Sequence, residues 1–158
     1  MPKMSLEFDG FDQVLAKLKK LDGNVKATTE KALTETHRIV TDKAEKAMSK
    51  SFLPAGGRYS TGRTLDSLRR EANIEWNGTE ASVPVGFDFA ESGLVSRFLM
   101  YGTPRHGPVG KSKRAKGGHP GTEAVVELYN AFFGSATKNQ VLSAQEKIFW
   151  DEIRRLEG

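Results

Sequence analysis

The sequence predicts an α+β fold, and three observations predict it. Helical spacing of apolar residues fills the N-terminal third, alternation of apolar and polar residues surrounds Asn77-Gly78, and helical spacing returns after Ala124. The chain has 158 residues with 37% hydrophobic composition, which suits one domain with a single modest core.

Ser5 to Phe8 alternates and predicts a short first strand, which Gly10 ends. Phe11, Val14, Leu15, Leu18 and Leu21 then recur at helical spacing, with Lys17, Lys19 and Lys20 on the opposite face. Asp22-Gly23-Asn24 is a stop and restart. A longer helix follows over 25–51, its stripe made of Val25, Ala32, Leu33, Thr36, Val40, Ala44, Ala47 and Met48. Its small residues allow a close partner, and Pro54 with Gly56-Gly57 marks its end.

Ile74 and Trp76 alternate with polar residues on one side of Asn77-Gly78, as do Ala81, Val83, Val85 and Phe87 on the other. That pattern predicts a hairpin, with Trp76 inward beside the turn. Pro84 lacks an amide proton, which makes its strand an edge or leaves Pro84 on an unpaired side. Leu94 to Tyr101 predicts a short apolar helix or strand that buries Val95, Phe98 and Leu99. The stretch 103–121 is rich in glycine, proline and lysine and predicts a mobile basic loop. Ala124, Val125, Leu128 and Phe132 resume helical spacing, 134–139 breaks it, and Leu142, Ile148, Phe149, Ile153 and Leu156 mark a final helix. The expectation is therefore one α+β domain over 1–158. Two N-terminal helices pack on a small antiparallel sheet, followed by the mobile loop 103–121 and the C-terminal helices.

The sequence has no cysteine, which excludes disulfides, thiolate metal sites and cysteine nucleophiles, and suits a reducing compartment. It holds no apolar run of membrane-spanning length, and 1–10 lacks the order of a signal peptide. No nucleophile elbow, phosphate-binding glycine loop or dinucleotide fingerprint occurs. His106 and His119 sit among cations with no carboxylate nearby, which disfavours a metal or nuclease centre. No enzyme activity, cofactor or metal is expected.

Net charge is +4, and the surplus is local. No acid stands between Glu91 and Glu123, where Arg97, Arg105, Lys111, Lys113, Arg114 and Lys116 all fall. The segment 111–116 has three readings. It contacts nucleic-acid phosphates, meets an acidic protein partner, or only solubilises the chain. Base stacking is not supported, because no aromatic lies between Tyr101 and Tyr129.

Four features stand in a particular order. Phe8-Asp-Gly-Phe-Asp-Gln-Val-Leu leads into a helix rich in Leu and Lys, then comes the long helix rich in Ala and Lys. Thr61-Gly62-Arg63 follows, with Leu65, Ser67 and Leu68 just after, and then Val85-Gly86 and Phe98-Leu-Met-Tyr-Gly-Thr103. This order resembles the small neck and tail-component proteins of long-tailed bacteriophages and prophages, the gene-product-ten-like tail-completion proteins, over 6–103. Here Thr64 separates Arg63 from Leu65, Met100 precedes the aromatic-Gly-Thr, and a basic glycine loop replaces a proline-rich entry to the last helix.

The resemblance implies a structural subunit of the phage head–tail junction, acting in a ring of its own copies among other neck and tail proteins. It implies a place in the virion, reached through the host cytoplasm, with no membrane. Thr61, Gly62 and Arg63 would form the turn entering the sheet, and Gly102 and Thr103 the turn leaving it. Arg105, Lys111, Lys113, Arg114 and Lys116 would face a neighbouring ring or make non-specific contacts with DNA in the axial channel. The alternative function is a nucleic-acid-binding protein that uses 111–116.

Overall fold

The structure, a computed structural model, describes residues 25–50, 62–90, 93–104 and 121–157. The expected first strand and first helix, Thr61, and the cations Arg105, Lys111, Lys113, Arg114 and Lys116 lie outside the described residues.

Five helices and one hairpin follow in order: α1 (Val25–Lys50), α2 (Arg63–Asp66), β1 (Glu75–Asn77), β2 (Glu80–Ser82), α3 (Gly93–Tyr101), α4 (Val126–Phe133) and α5 (Ser135–Glu157). The fold is α+β, with a two-stranded antiparallel sheet among the described residues. These residues belong to two compact units. Of the described residues, the first comprises 25–42, 69–86 and 135–157, and the second 43–50, 62–68, 87–90, 93–104 and 121–134.

In the first unit α1 and α5 share a core. Ala32 of α1 packs with Phe149 and Ile153 of α5, and Val25, Ile148 and Leu156 close around them. Four residues further along α1, Thr36 meets Gln145, four residues back along α5 from Phe149. The two helices therefore run antiparallel. Ala32 leaves room for the phenyl ring, which is what a small residue on a helical stripe provides. The Gln145 amide donates to Thr36 Oγ1 at 2.6 Å, and Thr36 Oγ1 donates to the Ala32 carbonyl at 2.9 Å. Outside this core, Arg38 bridges Glu35 and Asp42 on the exposed side of α1. The Arg38 guanidinium holds the Glu35 carboxyl below its ordinary pKa.

The hairpin pairs Glu75 with Ser82, Trp76 with Ala81 and Asn77 with Glu80. Its two-residue connection is Gly78-Thr79, one residue later than the Asn77-Gly78 pair singled out above. Gly78 takes φ 63°, the positive angle that the first loop position of such turns demands. Moving the turn by one residue shifts the pairing by two, so Trp76 and Ala81 keep a common face. The ladder ends at Ser82, shorter than the expected strand to Phe87, and Pro84 stands beyond it. Trp76 is half-buried. Its indole N–H donates to Glu30 Oε1 at 3.0 Å, and Lys26 Nζ lies 5.6 Å from the ring centroid. The Trp76 side chain thus fastens the hairpin to α1.

His37 is 3% exposed, and its Nε2 has no hydrogen-bond partner among the described residues. Its ring hydrogen-bonds to the Arg69 backbone, and Thr41 Oγ1 stands 3.5 Å from Nδ1. Burial pushes the imidazole pKa below its ordinary 6.5, and the Arg69 backbone only partly opposes this.

Two outcomes follow. Trp76→Ala lowers stability by about 2 kcal/mol in urea denaturation, roughly half the cost of a fully buried ring. Trp76→Phe, which loses the bond to Glu30 and part of the ring area, costs about 1 kcal/mol; equal stability of Trp76→Phe and wild type would remove that bond from the account. For His37, the neutral form is favoured by folding. Its contribution is complete above pH 6.5 and is lost as pH falls from there toward the lowered folded-state pKa. His37→Asn keeps a donor for the Arg69 carbonyl without a titrating ring, so it flattens the stability profile between about pH 7 and 5. An unchanged slope would place the proton uptake elsewhere.

Candidate interaction surface

The second unit contains two of the segments that carry the motif order, Gly62 to Leu68 and Phe98 to Thr103. Gly62 caps α2 with φ 72°, and its carbonyl accepts from Asp66 N at 3.0 Å. Leu68 forms an antiparallel bridge with Phe87, and Asp88 N donates to the Ser67 carbonyl at 2.7 Å. Gly62 and Arg63 thus open a one-turn helix rather than a turn into the sheet, and Arg63 is exposed. The expected turn failed because Thr64, Leu65 and Asp66 continue a helical turn after the left-handed glycine.

α3 ends at Tyr101 because Gly102 adopts φ 70°. A β-carbon there would lie 2.5 Å from the Thr122 carbonyl oxygen, so only glycine fits. Thr103 then pairs with Thr122 by two backbone bonds of 2.9 and 3.2 Å, and Thr103 Oγ1 accepts from Thr122 N at 2.9 Å. Gly102 and Thr103 therefore stop a helix and begin a bridge, where a turn leaving the sheet was expected. Val125 N donates to the Leu99 carbonyl at 2.7 Å and seats the start of α4 beside α3. α4 ends at Gly134, where a β-carbon would lie 2.6 Å from the Asn130 carbonyl. α5 begins at Ser135, so the break expected over 134–139 is Gly134 alone.

This clamp sets which sides of the two helices face out. α3 buries Ser96, 1% exposed, and Leu99. Val95 and Phe98, expected inside, are exposed together with Leu94 and Tyr101, the last 62% exposed. On α4, Leu128, Ala131 and Phe132 are buried, while Val126, Tyr129 and Phe133 are exposed. Phe132 meets Phe87 edge-on at 5.9 Å and fills the inside. The spacing 94, 95, 98, 101 is one helical stripe, and 126, 129, 133 is another. Tyr101 meets Tyr129 at 5.8 Å and Tyr129 meets Phe133 at 5.2 Å, which joins the stripes into one apolar face. Arg97 stands beside it, its guanidinium carbon 5.8 Å from the exposed Phe89 ring. Exposed Glu123 and Glu127 flank the start of α4.

The face offers no acid–base pair. Among the described residues no group of three or more His, Asp or Glu side chains could hold a metal ion, and no helix is long and apolar enough to cross a membrane. The sequence reading missed the face because apolar residues at helical spacing were assigned inward. The signal available was Ser96 opposite Phe98, a small residue on one side of the helix and aromatics on the other. No protein-family model, curated protein or solved structure matches the chain.

The clamp predicts a difference between two left-handed glycines. Gly78→Ala meets no atom within 4 Å and costs only the left-handed penalty, about 1–2 kcal/mol. Gly102→Ala adds a backbone clash and costs more, measured in the same denaturation series. Equal costs would show that the Gly102 approach relaxes freely.

Proposed function

We propose that the chain is a structural subunit of the phage head–tail junction, acting through contacts with its own copies and with neighbouring neck and tail proteins. The observation that carries this reading is the outward aromatic face of α3 and α4. It takes in Phe98 and Tyr101 of the segment Phe98 to Thr103, one of those that supply the motif order. A soluble monomer rarely exposes so many joined apolar side chains without a use for them. The motif glycines support the reading physically, because Gly62 and Gly102 set backbone geometry and touch no reacting group. In this role Arg63 lies exposed at the head of α2, where it meets a different face of the next subunit, as a closed ring requires. The cations of 111–116 meet the adjoining ring or the DNA in the axial channel.

Reversing a charge inside an assembly contact costs several kcal/mol. Phage carrying Arg63→Glu therefore yield tailed, infectious particles reduced by more than about tenfold, while circular dichroism of the purified variant matches wild type. Normal yields across a charge-reversal scan of Arg63 and residues 111–116 would sink the proposal.

A further inference from the structure

We propose that Asn77-Gly78 is a site of self-modification, where the Asn77 carboxamide is lost, aspartate or isoaspartate takes its place, and the end of the hairpin is thereby unpaired. The proposal concerns the first unit alone and stands whether or not the chain belongs to a phage neck. Three observations carry it.

The first is access. The nucleophile is the Gly78 amide nitrogen. Gly78 is exposed, lies outside the ladder, and has no hydrogen-bond partner for its amide among the described residues. Glycine brings no side chain to crowd the approach, and a β-carbon placed there would meet nothing within 4 Å. Asn77 is exposed as well, and its pair with Glu80 is the last of a three-residue ladder. The end of so short a hairpin opens readily, which frees Asn77 to swing its side chain over the following nitrogen.

The second is contrast with the other asparagines described. Asn73 precedes β-branched Ile74, whose side chain crowds the amide. Asn130 and Asn139 lie inside α4 and α5, where the next amide is tied to the carbonyl four residues back.

The chemistry balances with water alone. Hydroxide takes the Gly78 amide proton, and the nitrogen attacks Asn77 Cγ. The Cγ–Nδ2 bond breaks, Nδ2 leaves as ammonia with a proton from water, and a cyclic imide remains. Water then adds at one of the two imide carbonyls. Breaking the new bond to Cγ gives aspartate. Breaking the bond to the backbone carbonyl carbon gives isoaspartate, with the main chain rerouted through Cγ. No electron changes hands, and either product adds one negative charge.

The third observation is the pairing of Asn77 directly with Glu80. Aspartate at position 77 sets a like charge across from Glu80, and isoaspartate lengthens the backbone where the ladder closes. Either product unpairs the end of the ladder next to Trp76, which holds the hairpin on α1 through Glu30.

The test keeps the full chain at about pH 6 and about pH 9 and follows the tryptic peptide 71–97 by mass spectrometry. A gain of about 1 Da appears between Trp76 and Gly78, in two chromatographically distinct forms, at least about tenfold faster at the higher pH. Gly78→Ala slows it by at least about tenfold, and Asn73, Asn130 and Asn139 stay intact. Trp150→Phe leaves Trp76 as the sole tryptophan, and in that background its emission moves toward that of an exposed indole as conversion proceeds. Asn77→Asp shows a shift at once, and adding Glu80→Lys restores wild-type emission. Asn77 that stays intact while the synthetic peptide 71–97 is converted overturns the proposal, because the hairpin then protects the site. Conversion that leaves Trp76 emission unchanged overturns the unpairing.

Discussion

At Gly102 the backbone leaving α3 passes so close to Thr122 that no β-carbon fits between them. Helices of nine and eight residues are too short to persist alone in water, and here the Thr103–Thr122 bridge and the Val125–Leu99 bond hold α3 and α4 together. The approach is short, so the buried side of α3 must be small. Ser96 and Leu99 occupy it, and the bulkier Phe98 and Tyr101 are left outside. The exposed aromatic face is thus a consequence of a backbone contact: one glycine fixes the crossing, and the crossing fixes the faces.

The first unit solves a different problem. Its helix pair buries Thr28, Thr36, His37, Thr41 and Gln145 beside Ala32 and Phe149. Buried polar groups cost free energy unless they find partners, and Thr36 meets this by accepting from Gln145 while donating to its own helix. An apolar stripe of alanines would let the helices slide, and one hydrogen bond at a defined position fixes their register. His37 fits the same arrangement as a neutral ring and resists charging because its Nε2 is buried without a partner. The Trp76–Glu30 bond adds the hairpin to that frame, fixing a short ladder that could not stand alone in water.

Period and breakers made most of the secondary structure legible. α1 and the inward course of Ala32, Thr36, Val40, Ala44, Ala47 and Met48 follow from spacing alone, because nothing but burial competes for those positions. The hairpin was legible to within one residue of its turn, because Asn77 and Gly78 both suit a turn. α2 was missed because a single helical turn carries no period. The burial of α3 was inverted for a better reason. Apolar periodicity reports which residues avoid water in the finished assembly, and says nothing of whether the covering surface belongs to the same chain. Trp150, exposed on α5, escaped the final stripe for the ordinary reason that Phe149 and Ile153 fill it.

The perturbed groups in the first unit have structural causes. Arg38 holds Glu35 down, Arg155 holds Glu152 down, and burial lowers His37. None of these requires a reaction to explain it, and the aromatic face of the second unit is left uncovered by the described residues. In the proposed assembly each subunit of a closed ring meets the next through two unlike faces. In this reading the second unit offers two such parts, the aromatic face and the head of α2. Each contact alone is small. A weak contact repeated among tethered copies gains effective concentration, and the assembled state becomes stable where a free pair is not. A face at the low end of interface size is therefore suited to assembly that starts on a template and stays dispersed without one.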